Sequence, residues 1–135
     1  MSGAQIAYAA DALASNAGVR WTFVFMHRPM WADAKFAEWK RIESLPAGRA
    51  HTAFAGHVHA YSMHERNGGT YLTRATTGAH SPLLGEQFGT FDHVVWVTMT
   101  DSGPRIANLL LDGILDQRAG HPEVQAAEAS AVEAR

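Results

Sequence analysis

Two short apolar runs, each cut off by a strand-breaking residue, constrain this chain more than anything else in it. Residues 21–26, Trp-Thr-Phe-Val-Phe-Met, are almost continuously apolar and run into His27, two positions before Pro29. Residues 51–55, His-Thr-Ala-Phe-Ala, stop at Gly56. The first run, almost continuously apolar, reads as a strand buried on both faces, as in sheets covered by helices; the second reads as a short strand; and a proline cannot donate to a central ladder. His27 therefore sits at the C-terminal end of a strand, where open α/β sheets place their ligands. Between the runs, Asp33 is a plausible N-cap. Phe36, Trp39, Ile42 and Leu45 form an apolar stripe, with Lys35, Glu38, Lys40, Arg41 and Glu43 covering the rest. That pattern predicts a helix of about three turns, ended by Pro46 and Gly48. An earlier helix is predicted over 4–16, capped by Ser2 and closed by Gly18, with Ile6, Ala10, Leu13 and Ala17 on one face. Helix, strand, helix, strand is an α/β order.

The second half is β-rich. Residues 60–79 read as strand, turn, strand about Asn67-Gly68-Gly69, a strong hairpin signal. Residues 78–90 read as a loop. Residues 91–99 and 105–115 read as two strands joined through a turn at Asp101-Ser102-Gly103-Pro104. The expected fold is thus α/β, a mixed sheet with β-hairpins, occupying 1–116 as one domain. Residues 117–135 are Ala/Glu-rich and are expected to form a frayed helix or disordered tail. Trp21, Phe23, Phe25, Trp39 and Trp96 are expected in the core.

Composition removes several function classes. There are 13 acids against 11 Lys and Arg, so no basic surface marks a nucleic-acid binder. There is no Cys, which excludes disulfides, thiolate zinc sites and thiol catalysis. No apolar run has the length of a membrane span, and the N-terminal segment lacks the charged and apolar regions of a signal peptide. A soluble chain is expected, its compartment left open. Gly68 and Gly69 serve a hairpin and no phosphate loop, since no Lys-Ser/Thr follows them.

What stands out is histidine, eight of them. His57 and His59 are two apart; in an extended segment they would project to the same side, and Gly56 lets the chain turn sharply before them. Two imidazoles on one side of a strand end begin a metal site. His27, past the other run, is a third candidate. His51 is expected to be solvated, His64 to lie on a hairpin strand, His93 to start a strand in a half-buried, hydrogen-bonded position, and His121 to lie in the tail. His80 belongs to a Gly/Pro loop able to approach the site. Arg28 has the guanidinium geometry for a phosphate, although a surface role is the simpler expectation.

Strand-His-x-Pro, one helix, strand-Gly-His-x-His-x-Tyr is a joint pattern far more specific than its parts. Residues 23–31, Phe-Val-Phe-Met-His-Arg-Pro-Met-Trp, and 54–61, Phe-Ala-Gly-His-Val-His-Ala-Tyr, resemble the last two motifs of the calcineurin-like metallophosphoesterases. The resemblance extends through residues 68–85 and 91–116, and covers roughly Gln5 to Asp116. It implies the C-terminal half of a four-layer α/β/β/α sandwich and hydrolysis of small-molecule or macromolecular phosphate mono- or diesters. It also implies two divalent or di-/trivalent ions (Mn, Fe or Zn). His27 and His57 match ligands of the second metal, and His59 a ligand of the first. Tyr61 matches an aromatic often found after this motif, with packing as its plain role.

The same resemblance marks what this sequence lacks. The family's Asp-x-His, Gly-Asp-x-x-Asp and Gly-Asn-His-Glu/Asp motifs precede the strand-end histidine; only 26 residues precede His27, and none carries them. Asp11 and Asp33 fall in helical or capping contexts. Two metals about 3.5–4 Å apart clamp a phosphoryl group, and a bridging carboxylate screens their repulsion. Three neutral imidazoles bring no negative charge. The expectation is a truncated domain whose uncovered sheet needs a missing N-terminal half or a partner chain, and which is inactive by itself. The rival expectation is a non-catalytic partner-binding or structural module with vestigial metal ligands.

Overall fold

The structure, a computed structural model, describes residues 2–119. Ser2 opens helix α1 (Gly3–Ser15) with a capping box. Its hydroxyl accepts from the Gln5 N–H at 3.3 Å, and the Gln5 side chain accepts from the Ser2 N–H at 2.8 Å. Strand β1 (Thr22–Phe25) follows, then a 3-10 turn (Met30–Ala32), helix α2 (Trp39–Glu43) and strand β2 (His51–Ala55). Strands β3 (Ser62–Arg66) and β4 (Gly69–Thr73) form a hairpin. It turns at Asn67 and Gly68, whose φ angles of 53° and 76° are the left-handed pair a two-residue loop needs. Beyond a second 3-10 turn (Glu86–Phe88) come β5 (Val94–Thr100), β6 (Gly103–Leu109) and β7 (Ile114–Asp116).

The fold is mixed α/β. One sheet has the order β1-β2-β4-β3, with β1, β2 and β4 parallel and β3 antiparallel; the other is antiparallel, β5-β6-β7. Alternation along the strands builds two cores. Phe54, Met63 and Leu72 meet Phe91, Ile106 and Val95 between the sheets. Ala53 and Tyr71, one residue out of step, meet Trp39, Trp31, Phe36 and Ile42 on the helical side. Glu43, buried on α2, accepts from Arg66 of β3 at 2.9 Å and ties the helical layer to the hairpin. No helix among the described residues is long and apolar enough to cross a membrane.

Several expectations need correction. The three-turn helix shrinks to the five residues of α2. Asp33 starts an Asx turn instead, accepting from the Lys35 N–H at 2.9 Å. From there Phe36, Trp39, Lys40 and Arg41 each bond back three residues. The stripe Phe36, Trp39, Ile42, Leu45 is spaced strictly by three. A winding of about three residues per turn keeps it aligned, whereas an α-helix of about 3.6 would rotate it off the sheet. The single strand expected over 105–115 breaks into β6 and β7, with Leu110 donating to the Gly113 carbonyl at 2.8 Å.

Burial departs from expectation too. β1 is an end strand, and Phe25 is 74% exposed; Trp96 on β5, another end strand, is 62% exposed. Both were expected in the core, and both lie where the sheet has no further neighbour. His51, expected in solvent, is 1% exposed. Its Nδ1 donates to the Arg49 carbonyl at 2.8 Å, so its Nε2 accepts from the Tyr71 hydroxyl at 3.1 Å. Of the expected tail, Ala119 is buried and the Gln117 carbonyl accepts from the Tyr61 hydroxyl at 2.5 Å. Residues 120–135, with His121, lie outside the described residues.

A polar group also sits between the sheets. Arg74 Nη2 donates to Asn108 Oδ1 at 2.7 Å and to His93 Nε2. Burial, reinforced by Arg74, pushes the His93 pKa down to about 4 from its ordinary 6.5. The folded protein therefore holds His93 neutral, while the unfolded chain takes up a proton below 6.5.

Two outcomes follow from this packing. A Cβ on Gly69 would come within 2.1 Å of His51 Nε2. Gly69→Ala is expected to lower stability by about 1–3 kcal/mol in urea unfolding, as overpacked cores do; no loss would mean the His51–Tyr71 contact is loose. For His93, the unfolded state binds the extra proton between about pH 6.5 and 4, so stability falls as pH drops through that window. His93→Gln is expected to flatten the Tm-versus-pH slope there, and an unchanged slope would refute the neutral assignment.

Candidate metal site

The parallel pairing of β1 with β2 sets Phe25 beside Phe54. The ladder continues past both strands: Met26 donates to the Phe54 carbonyl and Gly56 to the His27 carbonyl, each at 3.0 Å. Parallel strands end together. His27 and His57 consequently leave the sheet side by side, and His27 Nε2 lies 3.1 Å from His57 Nδ1. The ring centroids are 5.0 Å apart at 72°.

Residues 57–59 are not extended, contrary to the expectation from their spacing. His57 and His59 both have positive φ, 72° and 56°, and Val58 donates to the Gly56 carbonyl at 2.9 Å. A left-handed conformation costs a residue with a Cβ roughly 1–2 kcal/mol, and two in three residues is a concentration of strain typical of functional sites. The twist separates the pair. His57 turns to His27, while His59 Nδ1 donates to the His80 carbonyl at 2.5 Å. Donation from Nδ1 leaves Nε2 of His59 with its lone pair free, the second-shell arrangement that prepares a histidine for a cation. Among the described residues no group of three or more His, Asp or Glu is arranged to hold a metal ion. The structure thus brings together two of the three candidate ligands, and sets the third beside them on a different partner.

The loop carrying His80 is held from below. Asp92 accepts from the Thr76 hydroxyl and from the Gly78 N–H, the latter at 3.0 Å, and these bonds hold its carboxyl pKa below the usual range. The Gly/Pro loop of His80 was expected to approach the site; what reaches His59 is the His80 backbone carbonyl, and no residue pattern encodes that. Tyr61 is buried against Phe91 and His93. Arg28 is exposed. Arg74 and His93 were not singled out as a pair; a charged residue directly after the apolar strand β4 was the available signal.

His57 titrates below its ordinary value. Partial desolvation is the first cause, followed by the charge of Arg28, then His27 and His59. No family model, curated protein or solved structure matches this chain. The site's chemistry rests on its own atoms: two imidazoles side by side past the ends of two parallel strands, with a guanidinium near enough to disfavour protonation of His57. Arg28→Gln is expected to raise the His57 titration midpoint, followed by NMR of its ring protons, and an unmoved midpoint would show that Arg28 does not act on it.

Proposed function

We propose that this chain supplies the C-terminal, histidine-bearing part of a calcineurin-like metallophosphoesterase site, a four-layer α/β/β/α arrangement in its complete form, acting on phosphate mono- or diesters. The observation that carries the reading is the 3.1 Å approach of His27 Nε2 to His57 Nδ1. Two nitrogens each about 2.0–2.1 Å from one ion are separated by about 2.8–3.4 Å, for angles between a right angle and the tetrahedral one. The observed spacing lies inside that interval, so the distance between the two nitrogens, now bridged by a hydrogen bond, is one a shared cation could span once that proton is lost. His59 supports the reading through its free Nε2.

The sequence carries none of the carboxylate or asparagine motifs that complete such a centre. His27 and His57 would hold one ion and His59 would contribute to another; the carboxylates must come from elsewhere. Bound metal would supply Lewis-acid polarisation of the phosphoryl oxygens and activation of water. The residues of this chain orient: His80 sets the tautomer of His59, and Arg28 offers a guanidinium whose planar fork suits phosphate oxygens.

Titration of the 135-residue chain with Zn²⁺, followed on the imidazole resonances, is expected to shift His27 and His57 together and weakly, as suits two protein ligands rather than three. His57→Ala is expected to abolish the response of His27. A response of His27 that survives His57→Ala would overturn the shared site. No turnover of p-nitrophenyl phosphate is expected from this chain alone, and turnover lost in His57→Ala would show that the site is complete without added carboxylates.

A further inference from the structure

The two sheets open onto a cleft that no described residue covers. Strand β1 ends one sheet and β5 ends the other. Phe23 and Phe25, Val95 and Val97, together with Phe54 and Arg74, line a cleft of about 410 Å³.

Strand β5 carries its own indication of what belongs there. A strand with one face in water alternates apolar and polar residues. Val94, Val95, Trp96 and Val97 do not, yet Val94, Trp96 and Val97 are all exposed. Among the described residues its outer edge, a row of backbone donors and acceptors, has no strand partner.

Arg74 narrows the chemistry. Its Nη2 serves Asn108 and His93, both neutral groups; the neighbouring Tyr61 hydroxyl favours its charged form, but Nε and Nη1 are buried and make no hydrogen bond. Among the described residues no acid pairs with it. A buried guanidinium without a counter-charge is costly, and so are buried donors left unmade. No described residue lining the cleft is acidic. A second copy of β5 would not cure this, because Val94–Thr100 contains no carboxylate.

We propose that the cleft seats an added β-strand from another polypeptide, hydrogen-bonded to the free edge of β5, apolar toward Phe23, Phe25 and Val97, and carrying one Asp or Glu that pairs with Arg74. Strand addition draws affinity from main-chain bonds and specificity from alternate side chains; here the carboxylate is the specifying group, through charge-assisted bonds to a guanidinium. Nothing in it depends on a metal at His27 and His57.

The test varies the probe and leaves the protein unaltered. Eight-residue peptides alternating Val and Thr, with Glu at each inward position in turn, are compared with Gln twins and with versions N-methylated on the paired edge. One Glu position is expected to bind the 135-residue chain at least tenfold more tightly than its Gln twin, and to slow hydrogen exchange of the β5 amides. N-methylation should abolish binding, and Arg74→Gln should remove the preference for Glu. Equal binding of Glu and Gln peptides, no binding by any peptide, or protection located away from β5 would each overturn the proposal. So would sedimentation showing a dimer whose β5 edges already protect one another.

Discussion

The parallel register of β1 against β2 is the constraint on which the rest of this molecule turns. Thr22 to Phe25 pair in step with His51 to Phe54, and the ladder runs one residue beyond each strand before the chains separate. Parallel neighbours need a crossover, and that crossover, residues 26–50, lays Trp31, Phe36, Trp39 and Ile42 over the outer face of the sheet. The same register delivers His27 and His57 to one edge. A slip by one residue would exchange the faces of Phe54 and Ala53, sending a phenylalanine from the inter-sheet core into the space that alanine leaves for Trp39. Packing on both faces of β2 therefore holds the two imidazoles at their distance, although neither imidazole belongs to a core.

The strain at His57 and His59 needs support of the same kind. Left-handed residues persist where their surroundings over-determine them. Here the surroundings are the Gly56 carbonyl, which accepts from Val58, the His27 nitrogen, which meets His57, and the His80 carbonyl, which accepts from His59. That last carbonyl is itself placed by a loop whose root is bonded to Asp92, and Asp92 adjoins His93 at the start of β5. The histidine edge of the first sheet is thus tied through one loop to the second sheet.

What could be read from the residues followed the reach of the interactions involved. Ser2 and Gln5 cap α1, and Asn67-Gly68 turn the hairpin, because each depends on neighbours a few positions away. That 51–55 forms a strand was legible, since Gly56 stops it, but the burial of all five of its residues was not. His51 defeated the reading because its burial is licensed by Tyr71, twenty residues on, and by the absent side chain of Gly69. The stripe from Phe36 to Leu45 has a strict period of three; one step of it fits an α-helix, but over its full length only the tighter winding keeps it on one face. The His57–His59 pair was read as extended because spacing carries no record of φ. Trp96 and Phe25 read as core residues from their size alone, but they are exposed because β1 and β5 are end strands, and strand order is not written in local sequence.

Arg74 poses the sharper physical question, because a folded chain rarely places a guanidinium between two sheets without a carboxylate to meet it. Asn108 and His93 each accept one bond from Nη2, but neither carries charge: Asn108 cannot, and His93 is pushed down to about 4 by burial and by Arg74 itself. Arg74 feels the same environment from the other side, its own pKa lowered to about 10 by burial. Stacking near Tyr61 and Phe54, with the guanidinium carbon 5.1 Å and 6.0 Å from their ring centroids, offsets part of the cost. A hydrophobic side chain of similar volume would pack this floor with no such debt. A cation kept there at net cost, under a cleft walled by exposed apolar residues and open backbone edges, makes physical sense when the missing charge arrives with whatever closes the cleft.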